Sequence, residues 1–392
     1  MTTYLTLIIL SALVICSYLF DLVANKTRLP SVLLLLFLGI GLRQVAAYFN
    51  IYTFDFLKIL PALGTIGLIL IVFEGALELR YENNKNQLIL QSFLSAFTIL
   101  ISTAVAIALI LQYFSGYNFY VCFANAIPLS IISSAIAIPS ASGLDKQRKE
   151  FVIYESSFSD ILGIILFNFT LGNRNITVTS FTRLGAEIVF IVVISLISCL
   201  LLLYLMGRIA HHIKFFLIIS ILILVYAIGQ QYHLSALVII LAFGLFLNNA
   251  YKIRIPVFRR IFLYSKLRED LSQLLQLSAE SAFIIRTFFF VIFGFTMSIN
   301  DLSDMSVLQN GAFIIVAIYA IRFFYLRVIV KENVSPVVFI TPRGLISILL
   351  YYNLPSYLRI EGAENGLLFL IILLTSTIMS FGLLFSGRKI ES

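Results

Sequence analysis

Two carboxylates stand at the head of one apolar run, in Tyr154-Glu155-Ser156-Ser157-Phe158-Ser159-Asp160 followed by ILGIILFNF. On an α-helix Ser156 and Asp160 lie four positions apart and share a face, as do Glu155 and Ser159. Glu155 and Asp160, five apart, point about 140° apart. One face therefore offers a hydroxyl beside a carboxylate, a set able to hold a proton or a small cation. The adjacent face offers a second acid. If the run crosses a membrane, such groups are costly there and usually functional.

Two further stretches read as interrupted helices. Thr341-Pro342-Arg343-Gly344 cuts one apolar segment, and Pro128 and Pro139 lie among small residues, with SIISSAIAIPSASG around the second. Proline removes a backbone donor and glycine tolerates unusual angles, so breaks are expected at Pro139, Pro342 and Gly344. Broken spans in corresponding places of two halves point to a transport site at the bilayer midplane, where freed carbonyls and half-helix dipoles face an ion. Ser133 and Ser134 could add oxygen ligands. A blander reading stands beside each residue: a solvated helix start for Glu155, a structural hydrogen bond for Asp160, ordinary kinks for the prolines. Glu74 and Glu78 near Arg80, and His211 with His212 near Lys214, read as groups at the membrane edge.

The elements that must position these groups are membrane helices. Of 392 residues 60% are hydrophobic and 12% charged, against about a quarter charged in soluble domains. A fold of this length cannot hide that much apolar surface from water. Trp is absent, but 36 Phe and 19 Tyr can supply the interfacial belt. Spans of roughly 20 apolar residues are expected at 3–20, 29–49, 57–79, 88–112, 118–142, 151–172, 182–206, 214–230, 234–250, 280–299, 308–330, 335–353 and 364–386, thirteen in all. Of the 27 Lys and Arg, nineteen then fall in the loops and ends on the C-terminal side. Four (Lys58, Arg174, Arg183, Arg359) fall on the other, and four (Arg43, Arg286, Arg322, Arg343) fall within spans. That bias places the C-terminus in the cytoplasm and the N-terminus outside.

The connector 251–279 is basic and amphipathic, suited to anionic lipid or to a plain cytoplasmic linker. The net charge of +8 follows from such loops, and no nucleic-acid partner is expected. Cys16, Cys122 and Cys199 sit in apolar stretches without ligand spacing, so neither disulfide nor structural metal is expected, and no cofactor. The N-terminus lacks a basic region and cleavage site, and reads as a first span.

At these residues the chain resembles the monovalent cation–proton antiporter superfamily, the NhaP- and NHE-like sodium/proton exchangers. LPSVLLLLFLGIGL, LILIVFEGALELR, ESSFSD, RTFFFVIFGFTMSIND and PRGLISILL resemble that family's second, third, sixth, tenth and twelfth spans, in order. The resemblance implies an all-α NhaA/NhaP-like antiporter fold of about thirteen transmembrane helices in two inverted repeats. A transport core (88–172 and 308–386) and a scaffold and dimerisation part (1–79 and 182–299) go with it, in a homodimer in the bacterial inner membrane. By position it implies that Asp160 binds the transported cation (Na+ or K+) or H+, with Ser156 and Ser159 beside it. It implies that Glu155 forms a structural ion pair with Arg343. Two departures stand out: Ser159 replaces an Asn or Asp, and Ala137-Ile138 precede Pro139 where relatives carry Thr-Asp. No acid lies between Asn118 and Leu144.

The expected activity is electroneutral one-for-one exchange by alternating access. Asp160 would be the metal site only in the sense of holding a transported monovalent cation. An ion-coupled carrier of a small organic anion, using Arg286 or Arg322, is the alternative. A non-transporting sensor would need an output domain. An intramembrane enzyme would need a catalytic pair, and none is evident.

Overall fold

The computed structural model describes residues 3–27, 30–48, 60–78, 85–174, 177–208, 215–231, 236–253, 255–262, 267–297, 304–330, 335–360 and 364–386. Among them every regular element is helical. The helices are α1 (Thr3–Thr27), α2 (Ser31–Tyr48), α3 (Leu60–Glu78), α4 (Asn86–Ser115), α5 (Phe119–Ser130), α6 (Ser134–Ser140), α7 (Lys146–Gly172), α8 (Val178–Arg208), α9 (Phe215–Gln231), α10 (Ala236–Asn249), α11 (Pro256–Phe262), α12 (Leu267–Thr296), α13 (Met305–Tyr325), α14 (Leu345–Tyr352) and α15 (Glu364–Ser386). Seven segments among the described residues are long and apolar enough to cross a membrane, with α5 and α6 together forming one of them.

The sequence pattern explains the faces. In α4 the buried residues are Ser92, Ser95, Ala96, Ile99, Leu100, Thr103, Ala104, Ile107, Ala108 and Leu111, which recur every three or four positions as one stripe. Leu90, Phe93, Leu94, Phe97 and Leu109 stand exposed on the other side. An apolar exposed face is what lipid requires, since between helices lipid supplies no hydrophobic contrast. The α5–α6 span is the opposite case, with 83% of its window buried.

Packing divides the chain into two compact units. One comprises Met1–Gly64, Leu88–Gly163 and Ile284–Ser392; the other comprises Thr65–Gln87 and Ile164–Phe283. Within the first, α1 packs on α2, α13 on α15 and α5 on α14. A Cβ on Gly39 would collide with the Val291 carbonyl, and one on Gly294 with that of Leu36, so α2 and α12 meet backbone to backbone. Within the second, α8, α9 and α10 pack on one another, and α11 lies on α8. Asn248 of α10 donates to the Leu77 carbonyl at 2.6 Å.

Two expectations about element boundaries change. The connector expected over 251–279 is shorter than that, because Leu267–Thr296 is one continuous helix; the amphipathic residues from 267 onward are the first half of α12. The fifth span does break, but at Ile131–Ser133 rather than at Pro139, which lies inside α6. His211, His212, Arg80 and the side chain of Glu78 lie outside the described residues.

Candidate ion-binding site

The break between α5 and α6 is held open by what its amides find elsewhere. Ile131 and Ser133 are extended, at φ/ψ of −75°/131° and −74°/113°. Three successive N–H groups then leave the helix. Ile132 N donates to Ser159 Oγ at 2.9 Å, Ser133 N to the Pro342 carbonyl at 2.9 Å, and Ser134 N to Asp160 Oδ2 at 3.4 Å. Buried backbone donors must be satisfied, and here two side chains of α7 and one carbonyl of the other interrupted span satisfy them.

The twelfth span opens by the same logic. Val337–Phe339 form one 3-10 turn and Leu345 starts α14, leaving Ile340–Gly344 outside any helix. Pro342, which has no N–H, contributes its carbonyl to Ser133. Gly344 caps α14 at an ordinary extended φ of −160°. It is needed for room, because a Cβ there would stand 2.5 Å from Ser133 Oγ.

Arg343 is fully buried and works as a clamp on this crossing. Its Nε donates to the Leu129 carbonyl at 2.7 Å, and its Nη1 donates to the Thr341 carbonyl at 2.9 Å and to Thr341 Oγ1 at 2.6 Å. Its amide donates to Thr375 Oγ1 at 3.1 Å. Leu129 lies in the last turn of α5, so a cation meets that half-helix at its negative end, while Asp160 meets α6 at its positive end. The charges missing from the fifth span are thus brought to its broken ends from α7 and the twelfth span.

Glu155 does not pair with Arg343 as the resemblance implied. It pairs with Arg322 of α13: Nη1 to Oε1 at 3.1 Å and Nη2 to Oε2 at 2.8 Å, both side chains essentially unexposed. Ser95 Oγ donates to Oε1 at 2.6 Å, and Arg322 also donates to the Val337 carbonyl. A buried acid needs a full set of donors, and the planar fork of arginine supplies two of them at once. Four intramembrane arginines compete on paper for one glutamate, and spacing along the chain does not rank them. The signal in the sequence was only that Arg322 is one of the four.

The remaining two arginines are also engaged with backbone. Arg43 Nη1 donates to the Thr296 carbonyl at the end of α12, at 2.8 Å. Arg286 Nη1 donates to the Ala135 carbonyl at 3.0 Å. Ala135 is four residues before Pro139, so its carbonyl has lost its helical donor, and the guanidinium replaces it.

Asp160 is the acid left over. It is 6% exposed, and while Oδ2 accepts the weak bond from Ser134, Oδ1 has no hydrogen-bond partner. Ser157 Oγ and Arg343 Nη2 are likewise buried without one. Ser159 Oγ accepts from Ile132. Ser156 spends its proton on the Val152 carbonyl at 2.8 Å, leaving lone pairs only. Among the described residues no group of three His, Cys, Asp or Glu could hold a metal ion. A lone carboxylate with carbonyls and hydroxyls around it suits a proton or a monovalent cation, not a tightly chelated divalent ion.

Two interrupted spans bonded to one another beside a buried, underused carboxylate define a membrane transporter of the broken-helix class. Comparison with known proteins narrows the class. The fold is similar to that of the sodium proton antiporter MjNhaP1 from Methanocaldococcus jannaschii at pH 8, with a TM-score of 0.75 at 19% identity over 100% of this chain and 99% of that one. An electron-microscopy structure of the same antiporter gives a TM-score of 0.72 at 18% identity over the same shares. Among curated proteins none matches. The family model described as "Sodium/hydrogen exchanger, transmembrane" matches residues 9–386, and the chain belongs to that family. It is therefore a multi-pass membrane transporter, not an enzyme.

Proposed function

We propose that the chain exchanges a monovalent cation, Na+ or K+, for H+ by alternating access, with Asp160 as the shared site. The observation that carries this reading is the free Oδ1 of Asp160 at the α5–α6 break. A carboxylate oxygen with no protein partner is available to a proton or to a cation, and the two compete for it. Ser157, Ser159 and the carbonyls released by the breaks complete the shell, and Ser156 offers a lone pair from the same face.

Electroneutral one-for-one exchange follows from the charge balance. Glu155 is matched by Arg322, which leaves Asp160 as the single acid that trades one proton for one monovalent cation. The organic-anion alternative is the weaker reading, since Arg322 is taken by Glu155 and Val337, and Nη1 of Arg286 is bonded to Ala135.

The wider setting belongs to the same proposal. It comprises thirteen spans in two inverted repeats, a transport core at 88–172 and 308–386 and a scaffold at 1–79 and 182–299. The protein is a homodimer in a bacterial inner membrane, with N-terminus outside and C-terminus in the cytoplasm. The nineteen-to-four division of basic residues supports the orientation.

The test is reconstitution into sealed liposomes with an internal pH dye, followed by addition of sodium, potassium, lithium or choline. Cation-dependent proton movement that is lost in Asp160→Asn supports the proposal, and the active ion names the substrate. Movement of organic solutes with no response to any inorganic cation overturns it.

A further inference from the structure

The stretch joining α10 to α12 has a composition and a geometry that the exchange reaction does not use. From residue 251 to residue 268 it carries Lys252, Arg254, Arg259, Arg260, Lys266 and Arg268 and no acid; Arg254 and Lys266 lie outside the described residues. The axis of α11 turns by 110° from that of the helix before it. If α10 runs across the bilayer, α11 runs closer to the membrane plane than to the normal.

The faces of α11 are sorted. The rings of Phe258 and Phe262 meet at a tilt of 36° with centroids 5.2 Å apart and are half-buried, on a helix that packs against α8. Val257 and Ile261, four positions apart and so on one side, are 65% and 51% exposed, and Ile255 is 61% exposed. Arg259 and Arg260 are exposed among them. Ahead of this helix in the chain, Tyr251 gathers two more cations, Arg268 at 5.2 Å and Lys252 at 5.8 Å from its ring. Exposed branched aliphatics interleaved with arginines are costly in water and favourable at the boundary between headgroups and acyl chains.

We propose that α11 is a docking site for anionic phospholipid of the surrounding bilayer. Val257 and Ile261 sink to the acyl boundary, and Arg259 and Arg260 bind lipid phosphates. The charge pattern selects the occupant. The exposed Arg259 and Arg260 of α11, on a helix that carries no acid, fit a surface of phosphodiesters, and each basic side chain near such a surface contributes about fivefold in affinity.

The chain contains no Trp, so Val257→Trp introduces a unique fluorophore on the proposed contact. The full-length protein carrying it is reconstituted in mixed vesicles of phosphatidylglycerol and phosphatidylcholine, with bromine on the acyl chains of one lipid or the other. The expected result is blue-shifted emission quenched more by brominated phosphatidylglycerol. That preference should fall several-fold when Arg259→Gln and Arg260→Gln are added, and fade in high salt. Equal quenching by both lipids overturns the proposal, as does a preference that survives the arginine changes. Water-exposed emission quenched by neither lipid also overturns it, and assigns the face to a soluble partner or a second copy. The readout involves no transport, so it stands or falls apart from the exchange reaction.

Discussion

Arg322 and Glu155, 167 positions apart in the chain, meet through two near-parallel hydrogen bonds at 3.1 and 2.8 Å in a site with almost no exposure. The pair fixes α13 to α7 within one packing unit, one turn and a half before Asp160.

Removing one member strands the other's charge, which costs about 3–5 kcal/mol at a buried site. Glu155→Gln and Arg322→Gln should each lower stability by that order, and the double variant should recover a large part of it. Thermal unfolding of the purified protein measures this. Glu155→Gln combined with Arg343→Gln should show no such recovery, because Arg343 binds carbonyls; a recovery there would return Glu155 to Arg343.

Asp160→Asn keeps the shape and one acceptor but cannot exchange a proton for a cation. Exchange in liposomes should drop to the level of vesicles without protein, with the unfolding temperature close to that of the native chain. An active Asn variant would move the shared site elsewhere.

Pro139 and Arg286 are expected to be coupled through the Ala135 carbonyl. Loss of a hydrogen bond from a charged donor typically costs about 1.5–3 kcal/mol, so Arg286→Met should destabilise by that order. In a Pro139→Ala background an amide hydrogen returns to the helix and can take the carbonyl, and the same change should cost about 1 kcal/mol less. A double-mutant cycle in thermal unfolding reads the difference, and strictly additive effects would rule out the coupling.

Gly163 lies three residues beyond Asp160, and a Cβ there would overlap the side chain of Ile131 at the break. Gly163→Ala should cost about 1–3 kcal/mol by overpacking and slow exchange. Ile131→Ala in the same chain should restore both, as followed by unfolding and by liposome proton flux.

Hydropathy places some helices closely: the spans expected at 29–49 and 88–112 run Ser31–Tyr48 and Asn86–Ser115. The acids were legible too, because a charge in an apolar run is conspicuous whatever the fold. The break in the fifth span was legible as an event but not as a place. Proline marks a missing donor, yet Arg286 repairs that loss at Pro139. Helix is instead lost at Ile131–Ser133, where Ser159, Asp160 and Pro342 compete successfully for the amides. Those competitors lie 26 to more than 200 residues away, and nothing local announces them. The partner of Glu155 was illegible for the same reason.

The bond from Ser133 N to the Pro342 carbonyl has a consequence for how such a chain diverges. A joint between two peptide groups reads no side chain directly; it excludes proline at the first position and asks of its neighbours only the room that Gly344 leaves and the clamp that Arg343 supplies. Mutation can rewrite other residues near the crossing, such as Ser159 and those before Pro139, while the joint persists. What descends intact from one chain to the next is then a route of the main chain, and ion preference can drift on top of it.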